Sequence, residues 1–148
     1  MSVNNRLATY VVAAAFACLS FAALAEDHPY SEGAVVNVAR IRTVDGHFDD
    51  YMKWLATGWK KQQDAAKKLG YIVSYQVVTV EARGTEDADI LLITTYKDWA
   101  ALDGALAKGD DVVKQMGQTN DQSNKDQVDR AKIRTVLGSS TMQVLDLK

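Results

Sequence analysis

The sequence predicts one α+β domain with the element order β-α-β-β-α-β, in which a four-stranded antiparallel sheet carries its helices on one face. Runs rich in β-branched residues recur at 34–43, 71–80, 89–96 and 141–147. A long amphipathic pattern separates the first two runs, and a second helical pattern follows the third. No period of about 20 to 50 residues recurs, so the chain is not a repeat protein.

The first 25 residues have the pattern of an export signal. Residues 1–6 carry one basic side chain, residues 7–24 are almost wholly apolar, and Ala23-Leu24-Ala25 has the small-x-small pattern that signal peptidase recognises. An uncleaved anchor is the alternative, because the apolar run approaches the ~20 residues that cross a bilayer. We favour cleavage after Ala25, which predicts a periplasmic or secreted protein with no membrane segment after cleavage.

Composition limits the classes of partner and chemistry. The only cysteine, Cys18, lies in the export segment, so cleavage leaves no thiol for a disulfide or a metal site. The formal net charge of the full chain is −2 and no basic cluster is present, which argues against a nucleic-acid partner. Residues 26–33 contain the only proline and are predicted to be a flexible lead. The single domain is then residues 34–148, a length typical of one domain.

The first strand and the first helix have the clearest patterns. Residues 34–43 carry apolar side chains on both alternating faces, which is typical of a central strand with both faces covered. The following helix is predicted to run from an N-cap at Asp45 to Leu69, with Gly70 just beyond its end. Its apolar residues recur at steps of three and four, so one stripe faces the sheet while the lysines stay in solvent.

A hairpin and a second helix are predicted next. Residues 71–80 and 89–96 form the two strands, and the charged residues 81–87 between them suit an antiparallel hairpin loop of more than minimal length. The second helix is predicted at 97–107, where apolar residues share one face, and Gly109 is predicted to end it.

The last third of the domain has an ambiguous pattern. Residues 118–130 are its most polar stretch, and either a solvated helix or a loop fits them. The apolar residues of 133–137 fit a helical step, yet the same run also fits a strand. We favour a helix that continues to about Val136, which places the last strand at 141–147.

This element order resembles that of the dimeric α+β barrel superfamily, whose fold is ferredoxin-like. The superfamily includes antibiotic-biosynthesis-type monooxygenases, haem-degrading monooxygenases and exported proteins of no assigned role. The resemblance implies a homodimer in which two four-stranded sheets face each other, with any ligand between sheet and helices. It covers most of the domain as a pattern, carried by VARIRTVDGHFDDY at 38–51 and LITTYKDWAAL at 92–102.

The same resemblance implies positions for a site. Asn37 is similar to the strand asparagine that positions substrate or oxygen in several monooxygenases of this superfamily. Tyr96 or Trp99 stands where these enzymes often place a tryptophan after the third strand. The histidine that haem-degrading relatives place soon after that tryptophan has no counterpart, because residues 100–119 contain none. Haem ligation is therefore not implied, and we expect no cofactor.

The candidate cavity residues come from the first strand, the start of the first helix and the end of the third strand. Polar and aromatic side chains at these places are able to line a space between a sheet and its helices. The chain has two histidines and they are far apart in sequence, so no metal site is expected. The candidates are Asn37, Arg40, His47, Tyr51, Trp54, Tyr96 and Trp99.

Several of these candidates also have a purely structural explanation. An unpartnered buried asparagine costs about 1 to 3 kcal/mol, so Asn37 must bond something, and a neighbouring backbone or a water is favoured over a ligand. Arg40 is expected to pair with a helix carboxylate or to lie at the sheet rim. The His47 imidazole is able to serve as a base at neutral pH, although a solvent-facing position is favoured. Trp54 lies off the centre of the helix stripe and is either an interface anchor or a cavity wall.

Two classes of function stay open. No phosphate loop, nucleophile elbow or zinc signature is present, which favours a non-catalytic exported dimer that binds a small apolar or aromatic molecule or a partner. The alternative is a cofactor-free monooxygenase that acts on an aromatic substrate. The enzyme predicts a closed pocket that holds Asn37, Tyr96 and Trp99, whereas the binding or structural role predicts that packing fills this space.

Overall fold

The computed structural model describes residues 27–81, 84 and 86–148. The predicted export segment, residues 1–25, lies outside the described residues, so cleavage after Ala25 stays a prediction. Within the described ranges, no helix is both long enough and apolar enough to cross a bilayer.

Four strands form the sheet: β1 (Tyr30–Thr43), β2 (Ser74–Thr79), β3 (Ile90–Tyr96) and β4 (Arg134–Leu147). Their order is β2-β3-β1-β4, and each neighbouring pair is antiparallel. β1 is therefore a central strand, as its apolar composition predicts. This order is that of the ferredoxin-like α+β fold, and it confirms the predicted fold class.

The first helical region is continuous but not uniform. It consists of α1 (Phe48–Trp54), a π-helical segment (Leu55–Trp59) and α2 (Lys60–Lys68). The predicted N-cap at Asp45 is wrong, because His47 occupies the N-cap position. The His47 amide donates to the Val44 carbonyl at 2.9 Å and closes a turn that contains Asp45. This turn keeps the aspartate out of the capping position.

The predicted end of that helix is confirmed. Gly70 adopts a φ of +76°, in the left-handed region that glycine enters without steric cost. Its amide donates to the Lys67 carbonyl, and the Tyr71 amide donates to the Ala66 carbonyl, both at 3.0 Å. This pair of bonds is a Schellman motif, which satisfies two carbonyls of the last turn and directs the chain back toward the sheet.

The second helix differs from its prediction. Residues Trp99–Leu102 form only a 3-10 turn, which Asp98 caps by accepting from the Ala101 amide and which ends at Asp103, where the backbone is extended. Gly104 then takes a left-handed conformation, and α3 (Ala105–Gln115) begins after it. The prediction that Gly109 ends the helix is wrong, since Gly109 lies inside α3.

The C-terminal part also corrects the sequence prediction. α4 (Asn120–Arg130) begins where the Thr119 hydroxyl accepts from the Gln122 amide, and the predicted continuation of this helix to about Val136 is wrong. Val136 instead pairs with Ile41 in the sheet. The local pattern of residues 133–137 carries no information about β1, whose free edge offers backbone partners to this segment.

The pairing of β1 with β4 is also longer than predicted at the end of the sheet where β1 begins and β4 ends. Tyr30 pairs with Leu147, so β1 starts before the predicted residue 34 and includes part of the predicted lead. Register shifts between Glu32 and Val35 and between Arg40 and Ile41 allow the pairing to continue over most of both strands. Strand β4, at the edge of the sheet, begins at Arg134 and not at the predicted residue 141.

The helices cover one face of the sheet. A first core cluster joins the first helical region to β1 and β3, and a second joins α2 to α3. Strand residues alternate between faces, so every second residue of the inner strands points away from these clusters. We call this other side the open face, and neither core cluster takes a residue from it. Its apolar side chains, placed by the strand register, are Val36, Val38, Val78, Leu91, Ile93 and Met142.

The observed bounds of α3 predict opposite effects for two glycine substitutions. Gly109→Ala should raise the free energy of unfolding by about 0.5 to 1 kcal/mol, because alanine is the better helix former and an added Cβ meets no atom within 4 Å. Gly104→Ala should lower it by about 1 to 2 kcal/mol, because its φ of +67° strains an L-residue. Urea denaturation measures both, and a loss in Gly109→Ala would contradict the assigned helix.

Candidate functional site

A cleft of about 200 Å³ opens between α2, α3 and the end of β3. The Schellman motif at the end of α2 includes Tyr71 and is followed by Ile72, and both residues form part of the wall of the cleft. Ala66 and Val112 are buried side chains of the second core cluster that also line it. The cleft is therefore an incompletely filled part of the contact between α2 and α3, with a wall that is largely apolar.

A few polar groups face the same cleft. Tyr96 is half-buried, and burial raises the pKa of its phenol, so its hydroxyl is a neutral donor at physiological pH. Among the described residues it has no side-chain hydrogen-bond partner. Lys108 Nζ donates to the Ala101 carbonyl at 2.7 Å and lies 5.6 Å from the centroid of the Tyr71 ring. The Tyr71 hydroxyl donates to Asp111 Oδ2 at 2.8 Å.

The structure does not bring the three residues of the monooxygenase hypothesis into one pocket. Tyr96 lines the cleft, but Asn37 and Trp99 are not among its lining residues. Asn37 Nδ2 donates to Thr141 Oγ1 at 2.9 Å, across the β1–β4 pair. The indole Nε1 of the half-exposed Trp99 donates to Gln143 Oε1 at 3.1 Å. Each polar side chain thus has a partner on β4, which connects β1 and the 3-10 turn to the edge strand.

Tyr51 and Trp54 belong to an aromatic stack at a different place. Their ring centroids are 5.5 Å apart, with an angle of 19° between the planes. The Arg130 guanidinium lies 4.3 Å from the Trp54 ring centroid, and that of Arg134 lies 5.7 Å from the Tyr51 ring centroid. These contacts attach the end of α4 and the start of β4 to α1 through cation–π attraction.

Burial dominates the electrostatics of this stack. It lowers the pKa of the Arg130 guanidinium, an effect that the charge of Arg134 reinforces and that of Asp126 opposes. It also raises the pKa of the fully buried Tyr51 phenol, while the two arginines act in the opposite direction. The Tyr51 hydroxyl has no hydrogen-bond partner among the described residues.

The remaining two candidates lie apart from the cleft. Arg40 is exposed and alternates onto the open face, and it makes no ion pair within the described part of the chain. His47 Nδ1 lies 3.2 Å from Asp50 Oδ2. This contact, together with Lys53, lowers the pKa of the Asp50 carboxyl. The side chains of His47 and Asp50 are both in contact with solvent. The described chain contains no cluster of three His, Cys, Asp or Glu side chains that is able to hold a metal ion.

Sequence reasoning missed most of the polar residues that line the cleft. Thr94 and Tyr96 share a face of β3 because they are two residues apart, and only Tyr96 was selected. Lys108 and Val112 share a face of α3 because they are four residues apart. Because the helix was predicted to end at Gly109, Lys108 and Val112 were not expected to lie on one helix. With the observed bounds of α3, their spacing of four residues places them on one face.

Comparisons with known proteins provide fold similarity only. No protein-family model matches the sequence, and no curated protein matches it. The crystal structure of HapK from Hahella chejuensis is similar at a TM-score of 0.46 and 15% identity, covering 73% of this chain and 90% of that chain. A dimeric ferredoxin-like protein from an uncultured marine organism is similar at a TM-score of 0.41 and 12% identity, covering 78% of this chain and 97% of that chain.

The different environments of Tyr51 and Tyr71 predict different responses to loss of a hydroxyl. Tyr51→Phe should leave the free energy of unfolding unchanged or raise it by up to about 1 kcal/mol, because its buried hydroxyl has no partner among the described residues. Tyr71→Phe should lower it, because a hydrogen bond to Asp111 is lost. Urea denaturation measures both variants, and equal losses would contradict the assigned environment of Tyr51.

Proposed function

We propose that this protein is exported and binds a small molecule with one ring and one polar group in the cleft between α2, α3 and β3. The proposal rests on the composition of the cleft, which is lined by an apolar wall, a few neutral polar groups and one cation. Ligand sites of proteins typically combine these features. The support for export is the sequence pattern of residues 1–25.

The size of the cleft limits the size of the ligand. Pockets for drug-sized molecules occupy about 300 to 1,000 Å³. An apolar cavity of about 150 Å³ is large enough to hold benzene. A cleft of about 200 Å³ therefore suits a single ring with a short substituent. The apolar wall accounts for the ring, and the Thr94 and Tyr96 hydroxyls account for the polar group.

The geometry supports binding ahead of the monooxygenase alternative. That alternative requires Asn37, Tyr96 and Trp99 around one reacting carbon, and only Tyr96 lines the cleft. The side chains of Asn37 and Trp99 are hydrogen-bonded to β4 residues instead.

We also propose that the open face is covered by a second copy of the chain. Its central part is apolar: Val38 and Ile93 are neighbours on β1 and β3, and Met142 of β4 is 47% exposed. The burial of apolar surface is favourable by about 25 cal/mol of free energy per Å², which favours association of two such faces. Arg40 lies on the same face, so a partner must pair its charge or leave it at the rim.

A bulky side chain introduced into the cleft should prevent an aromatic ligand from binding there. Ala105 is an exposed residue at the start of α3 that lines the cleft, so Ala105→Phe should weaken the binding of benzyl alcohol by about tenfold or more. Ala107→Phe is the matched control, because Ala107 is exposed on the same helix and does not line the cleft. Isothermal titration calorimetry measures both. Absence of saturable binding of benzyl alcohol, p-cresol and benzoate to the wild type would contradict the proposed function.

A charge in the centre of the open face should separate the two copies. Sedimentation of residues 26–148 should give about twice the monomer mass, and Ile93→Lys should give the monomer mass with an unchanged far-ultraviolet circular dichroism spectrum. Leu106→Lys is the control, because Leu106 is 90% exposed on α3, away from this face. A wild-type chain that sediments as a monomer at micromolar concentration would refute the dimer.

A further inference from the structure

We propose that the cleft selects ligands whose polar group is negatively charged, such as a carboxylate on a single ring, and that Lys108 recognises this charge. The inference rests on the proposed binding function and specifies the ligand class of the same site. It follows from which charges face the cleft and from what Lys108 already contacts.

The charge that faces the cleft is unbalanced. Among the described residues that line it, Lys108 is the only charged one. The other polar lining groups are hydroxyls and amides, which are neutral, and they include Gln62, Thr94 and Tyr96. A neutral ligand would add no counter-charge to this ammonium, whereas an anion would provide one.

The present contacts of the ammonium leave it free to bind an anion. Its Nζ donates to the Ala101 carbonyl at 2.7 Å and lies over the Tyr71 ring at 5.6 Å, and both of these partners are neutral. An ammonium has three donors, so one bond to a carbonyl leaves donors for a ligand. The nearby Asp111 carboxylate accepts from the Tyr71 hydroxyl instead. No carboxylate of the described residues forms an ion pair with Lys108.

The same contacts place the ammonium in a defined position. The bond to Ala101 connects α3 to the preceding 3-10 turn, and the cation also lies over the Tyr71 ring. A side chain held in this way loses less conformational entropy when a ligand binds than a free lysine does. Tyr96 lines the same cleft, and its hydroxyl, which has no side-chain partner among the described residues, is available to donate to a second oxygen of the anion.

The direct test compares benzoate with benzyl alcohol, which have a similar ring and differ in charge. Wild-type protein should bind benzoate about tenfold or more tightly than benzyl alcohol in isothermal titration calorimetry. Lys108→Met should weaken benzoate by about tenfold or more and change benzyl alcohol by no more than about twofold. Lys114→Met is the matched control, because Lys114 is exposed on the same helix and does not line the cleft.

Lys108→Met also removes the hydrogen bond to the Ala101 carbonyl, so a loss of charge recognition has to be distinguished from a folding defect. A second variant and a salt titration make this distinction. Lys108→Arg keeps the charge and should retain most of the preference for benzoate. Raising NaCl from roughly 0.05 M to 0.5 M should weaken benzoate and leave benzyl alcohol unchanged, because salt screens only the charged ligand.

The outcomes separate the two proposals. If neither molecule binds saturably, the proposed binding function fails. If both bind with the same affinity, or if Lys108→Met and added salt alter both equally, recognition of charge by Lys108 fails while the binding function stands. A selective loss of benzoate binding, absent in Lys114→Met, supports both.

Discussion

The pairing of β1 with its two neighbours is the constraint on which the rest of the structure depends. β1 is joined to β3 on one side and to β4 on the other, so its register sets the orientation of three strands at once. Ile41 and its neighbour Ile90 face the helices, while Val38 and its neighbour Ile93 face the opposite way. A shift of one residue would exchange these two sets, which would expose the core and bury polar side chains.

The position of the cleft follows from this arrangement of the sheet and from the end of α2. The Schellman motif around Gly70 turns the chain sharply, and this turn sets Tyr71 and Ile72 beside the end of β3. α3 packs against α2 through Val112, and the packing leaves a gap toward Tyr96. Binding and stability are thus coupled here, because the same side chains close the second core cluster and line the cleft.

The aromatic stack shows how a second part of the molecule is stabilised without a carboxylate partner. Arg130 and Arg134 lie against Trp54 and Tyr51, and neither arginine forms an ion pair with another described residue. Gly58 lies beside the indole, where an added Cβ would come within 2.6 Å of Trp54 Nε1. The stack therefore needs a small residue one turn after Trp54, and sequence periodicity alone gives no sign of this requirement.

The sequence by itself determined the element order, the central position of β1 and the helix end at Gly70, because periodicity, β-branched composition and glycine chemistry are local properties of the chain. Tertiary structure decided where β4 begins, since Val136 lies in a strand only because Ile41 offers a free backbone edge. It also decided which candidates meet: Tyr96 lines the cleft with Lys108, whereas Asn37 bonds Thr141. Contacts between residues far apart in sequence are set by packing and register, and no local pattern encodes them.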